Sequence, residues 1–107
     1  MMDESRLREL VETFYERVLT AWQSLPPPRP TLRDREFWTG HFVECAREVA
    51  ASAEGNDARI LRRIHQLASQ QYELLTTSDK MLGAGRVLRD VADSAAAALR
   101  AGGANGK

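Results

Sequence analysis

Apolar residues return every third or fourth position in four stretches of the chain, and helix-breaking residues separate each stretch from the next. In the first stretch Leu7, Val11, Phe14, Val18, Ala21 and Leu25 step alternately by four and three, which is the spacing of one helix face. Leu10, Leu19 and Trp22 widen that face, so this helix is expected to touch more than one neighbour. Pro26-Pro27-Pro28 ends it, because proline lacks the amide donor and clashes with the preceding turn. Through Pro30 the linker should be extended and stiff, leaving the first helix free to cross at an angle or to dock on another copy.

The second stretch opens at Thr31, where Thr31 and Asp34 have the spacing of a capping box. Trp38, Phe42, Cys45, Val49 and Ala53 follow on one face, with Phe37 and Ala46 beside it. Gly40 inside this pattern weakens the helix or admits another backbone. Glu54-Gly55-Asn56-Asp57 reads as the end of one helix and the start of the next. In the third stretch the stripe runs through Ile60 or Leu61, Ile64, Leu67 or Ala68, Gln71 or Tyr72, and Leu75. Thr76-Thr77-Ser78-Asp79 breaks it, with Ser78 as the next cap. Met81, Ala84, Leu88, Val91, Ala95 and Ala98 carry the rhythm through the fourth stretch, although Gly83 and Gly85 leave its start open, as late as after Gly85.

The short breaks predict antiparallel neighbours. The expected fold is therefore all-α, a small antiparallel bundle of four helices over about 3–25, 32–53, 57–76 and 79–101. These make a single domain over 1–101, with 102–107 as a disordered tail.

Composition narrows the function more than the fold. With 107 residues there is room for one core, and self-association would add to its stability. Lys plus Arg and Asp plus Glu both number 15, so the basic excess of a typical nucleic-acid-binding domain is missing. Charge is uneven all the same. Residues 1–25 hold three Arg against five acids, and residues 78–107 hold five bases against three acids. An acidic first helix and a basic last one should attract each other, inside the bundle or between copies. One cysteine allows no internal disulfide, no apolar run is long enough for a bilayer, and the start of the chain is charged. These features lead us to expect a cytoplasmic protein without membrane contact.

Candidate chemistry is sparse. His41 and Cys45 lie one turn apart with Glu44 adjacent, which is half of a zinc site, and the other half would have to come from elsewhere in the chain. Glu9, Glu12 and Glu16 share a face, but a hydrolase needs facing carboxylates, for which only Glu44 and Glu48 are at hand. No metal and no cofactor is expected. Arg59, Arg62, Arg63, Arg86 and Arg89 would form one basic ridge if the last two helices pair, a surface suited to nucleic-acid backbone or phosphate.

His65 follows Arg59, Arg62 and Arg63, with the Gly55-Asn56-Asp57 turn before it, Leu67 two residues on, and Leu82-Gly83-Ala84 opening a later helix. In these elements the chain resembles the histidine-phosphotransfer domains of two-component signalling, over about half its length. The resemblance implies a four-helix bundle and His65 as phosphoacceptor. The family's lysine three residues after the histidine is Ala68 here, and its following glycine is Ser69. The interval from His65 to Gly83 is longer than the family's by about two turns. The module implied is a degenerate one.

Trp22 and Trp38 flank the proline linker, and with Phe14 and Phe37 they are candidate aromatic anchors for a partner. The function expected from these features is non-catalytic. It is that of a protein-binding adaptor, working as a homodimer or as a small subunit of an assembly. A nucleic-acid-binding subunit and the phosphotransfer-like module are the alternatives.

Overall fold

In a computed structural model the chain is described over residues 3–75 and 83–103. These form α1 (Glu4–Gln23), α2 (Arg35–Ala51), α3 (Asn56–Leu74) and α4 (Ala84–Gly103). Among the described residues there is no strand. The radius of gyration is 13.5 Å, close to the ~13 Å of a compact chain of this length.

Each helix packs against its neighbours in sequence, and α1 closes the ring against α4. The seams are antiparallel. Trp22 near the end of α1 meets Trp38 near the start of α2, Arg35 at the start of α2 pairs with Glu73 at the end of α3, and Tyr15 of α1 meets Gly85 at the start of α4. Of the two diagonals, α1 and α3 touch, while α2 and α4 stay apart. The first helix is therefore a member of the bundle and not a free arm.

The periodic residues fill the centre. Leu7, Phe14, Val18, Trp38, Phe42, Leu61, Ile64, Tyr72 and Val87 are almost wholly shut off from solvent. Burying one such side chain is worth about 1.5–3 kcal/mol, which is why the three-four spacing dictates the architecture. In α4 the buried face is centred slightly off the expected stripe. Val87, Ala92, Ala96 and Leu99 join Leu88, Val91 and Ala95, while Ala84 and Ala98 sit at its edge.

The helix ends differ from expectation in instructive ways. α1 stops at Gln23, because Pro26 disfavours helical backbone at Leu25. α2 starts at Arg35, with the Asp34 carboxylate accepting from the Phe37 amide, while the Thr31 hydroxyl accepts from the Arg33 amide and closes a turn instead. Gly55 leads into α3 at φ +56, a conformation that glycine adopts without the Cβ clash. The fourth helix begins at Ala84, between the two glycines, and runs on to Gly103, into the stretch expected to be tail. Thr76–Leu82, with the Ser78 cap and Met81, and the tail beyond Gly103 lie outside the described residues.

The proline linker does not stand clear of the bundle. Three consecutive carbonyls in it each accept from an aromatic donor on a different helix. Trp22 Nε1 of α1 donates to Pro30 O at 3.1 Å, Trp38 Nε1 of α2 donates to Thr31 O at 2.9 Å, and the Tyr72 hydroxyl of α3 donates to Leu32 O. Leu32 itself is buried, and the Arg29 guanidinium covers the Trp22 ring at 5.1 Å. The rings that flank the linker thus clamp it down.

The charge asymmetry is resolved inside the bundle. Arg89 grips Glu12 through both terminal guanidinium nitrogens at 2.6 and 2.9 Å, and Arg100 lies 3.6 Å from Glu4. Arg17 reaches Glu48 at 2.6 Å, and Arg6 bonds Asp57. The first helix therefore makes an ion pair with each of the other three.

Candidate functional site

Of the four aromatic anchors expected from sequence, the structure removes two. Phe14 is 2% exposed and Trp38 is fully buried, so neither can reach a partner. The a/d spacing that made them conspicuous is the spacing that turns them inward. Trp22 and Phe37 are half-buried, and they are engaged with the linker carbonyl and with the Trp38 and His41 rings.

The arginine ridge does not form either. Arg89 faces α1, where it pairs with Glu12 and lies 4.0 Å over the Tyr15 ring. Arg62 faces α2, beside Val43 and Arg47. Arg63 points about 100° further round the helix, where it bonds Gln66. Arg59 and Arg86 are exposed. Arg89 is thus committed to α1 and Arg62 to the seam with α2, so these two do not share one surface.

The half zinc site is also taken up in packing. His41 Nε2 lies 3.0 Å from Val18 O, and Cys45 Sγ is buried 3.8 Å from that nitrogen. Burial, with repulsion from Glu48, pushes the Cys45 thiol up to about 11, so it stays protonated. Among the described residues no three His, Cys, Asp or Glu side chains converge. Glu9 and Glu12 are held by Arg6 and Arg89, and Glu16 is exposed.

Among the described residues a groove lies between α2 and α3, a cavity of about 420 Å³. Val43, Ala50 and Ala51 of α2 and Ala58 of α3 form its apolar surface, with Arg47, Arg62 and His65 around them. Its origin lies in α2, which separates apolar from polar side chains least of the four helices. One flank of α2 supplies Trp38, Phe42, Cys45 and Ala46 to the core, and Val43, Ala50 and Ala51 lie outside that stripe. Small side chains there leave a channel that α3 does not fill. A wider, shallower depression on α1 is lined by Arg6, Glu9 and Glu12, which are already ion-paired.

His65 is half-buried in the groove wall. Its Nδ1 is cut off from solvent and has no hydrogen-bond partner among the described residues. Burial, reinforced by the nearby Arg47 charge, lowers its pKa below the ordinary 6.5, so the ring is neutral at pH 7. A phosphoacceptor needs a ring open to an incoming aspartyl phosphate, whereas this one is set among side chains of two helices.

No family model matches the chain, and neither a curated protein nor a solved structure matches it. Among the described residues no helix is long and apolar enough to cross a membrane.

Sequence reasoning missed the groove, although the chain holds one signal for it. Val43, Ala50 and Ala51 are apolar residues in excess of the α2 stripe. Their partner across the gap, Ala58, follows only from the pairing of the helices.

Proposed function

We propose that this protein is a non-catalytic helical module that works in the cytoplasm by binding a protein partner along the α2–α3 groove. One observation carries the reading: α2 keeps apolar side chains, half-buried Val43 and Ala50 and exposed Ala51, along an open groove outside its core stripe. Water gains nothing at such a surface, and a partner that displaces it gains about 25 cal/mol for each Å² of apolar area covered. The titratable groups support a binding role over a chemical one, since the carboxylates of Glu4, Glu9, Glu12, Glu44, Glu48, Asp57 and Glu73 are ion-paired and the thiol is buried.

A photo-cross-linking residue at Ala51, inside the groove, tests this in cells. A second at Asp90, exposed on α4, serves as control. The expected result is a discrete adduct from Ala51 and none from Asp90. A chain-to-chain adduct together with a dimer mass in solution identifies the partner as a second copy. Equal labelling from both positions, or none from Ala51, overturns the proposal.

A further inference from the structure

The groove has a charge character as well as a shape. Arg47 of α2 and Arg62 of α3 both line it, and no carboxylate does. Arg47 is pinned to Glu44 by an exposed pair at 2.8 Å, the kind of contact that contributes ~1 kcal/mol or less and gives way readily. Arg62 has neither an ion pair nor a hydrogen bond among the described residues. The acid nearest the start of α3, Asp57, is drawn away by Arg6 of α1. The first turn of α3, from which Ala58 enters the groove, has no side-chain cap, and its one acid, Asp57, is paired with Arg6, so the positive character of the groove rests on the two guanidiniums. These charges surround an apolar floor that a free inorganic anion would leave wet.

We infer that the groove receives an acidic segment of a protein partner, its small apolar side chains on the alanine floor and a carboxylate against Arg47 and Arg62. This rests on the docking role proposed above and adds the chemistry of the occupant. His65 reports occupancy. A carboxylate brought beside the ring stabilises the imidazolium, so its pKa climbs when the groove fills.

The test uses the full chain labelled for NMR, with a capped Ala-Leu-Glu helical peptide of about four turns as the probe. A glutamine-for-glutamate peptide and inorganic phosphate are the other arms. The glutamate peptide should shift the amides of Val43, Ala51 and Ala58, raise the His65 pKa, and lose affinity at about 0.5 M salt. The glutamine peptide should bind at least about tenfold more weakly, as should the glutamate peptide to Arg62→Gln, a change at an exposed residue that leaves the melting temperature unaltered. Equal binding of the two peptides, or shifts that map elsewhere, overturn the inference. Phosphate alone reproducing the His65 response overturns it in favour of a free-anion site. An adduct at Ala51 that joins a neutral or basic partner peptide leaves the docking role standing and ends the acidic one. No adduct ends both.

Discussion

Replacing Tyr72 with Phe deletes one oxygen atom and nothing else. The ring is fully buried, between Trp38 and Phe42, so packing is preserved. Among the described residues, the bond lost is the one donated to Leu32 O, on a residue only 9% exposed. The net bond is worth about 1 kcal/mol, and an acceptor left dry costs about 1 kcal/mol more, so Tyr72→Phe should destabilise by about 2 kcal/mol. For a domain of this size that lowers the melting temperature by about 10 °C. Urea unfolding followed by tryptophan fluorescence and by circular dichroism measures it, with an unchanged denaturant slope and coincident transitions. A second arm uses pH. Burial pushes the Tyr72 hydroxyl from its ordinary 10.0 up to about 12. Between those values the folded chain holds a proton that the unfolded chain has released, so stability present below pH 10 is lost as pH rises toward 12, by up to about 1.4 kcal/mol per pH unit. Tyr72→Phe should lack that part of the decline. A midpoint within about 0.5 kcal/mol of the parent protein, or an alkaline slope between about pH 10 and 12 that the substitution leaves undiminished, refutes the clamp as a source of stability.

Acid should weaken the fold in two stages. The Arg89 guanidinium holds Glu12, and that of Arg6 holds Asp57, below the ordinary carboxylate values of 4.5 and 3.8, so the stability they add is present above those values and fades as pH falls through the lowered ones. His65, buried in its neutral form, adds a loss that begins as pH drops below 6.5. Melting curves from pH 8 to 3 check this, and a Glu12→Gln variant with an unchanged acid slope would contradict it. At pH 8 a thiol with a pKa of about 11 is ionised about one part in a thousand, so Cys45 should react with a disulfide reagent at least about a hundredfold more slowly than a free thiol until the chain unfolds. Gly40→Ala meets no atom within 4 Å and sits inside a helix, so it should stabilise by about 0.5–1 kcal/mol. Gly55→Ala also meets open space but at φ +56, and it should cost about 1–2 kcal/mol. If the two melts shift in the same direction, that backbone argument is wrong.

Periodicity made the helices legible because burial selects it directly. Leu7 to Val18 could be placed on one face from spacing alone, whereas in α3 spacing left Ile60 or Leu61, Leu67 or Ala68 and Gln71 or Tyr72 open, and burial takes both of the first two pairs and Tyr72 of the third. Direction round the helix axis was harder. Arg62 and Arg63 are adjacent in sequence, yet one lines the groove and the other bonds Gln66. A ridge drawn from their proximity ignored that rotation. The linker misled for a different reason. Its prolines do stop α1, but the bonds that pin it come from Trp22, Trp38 and Tyr72, whose reach toward main-chain oxygens leaves no local pattern. Aromatic residues beside a linker therefore looked like anchors for a partner when their partner was the linker itself.

The clamp divides its labour unequally between the two sides of each bond. Oxygens at Pro30, Thr31 and Leu32 belong to the main chain and persist through any replacement there, whereas the three rings have few substitutes. A saturation library should accordingly accept many residues at exposed Thr31 and very few at Trp38 and Tyr72, so that intolerance to change marks positions outside the segment they secure.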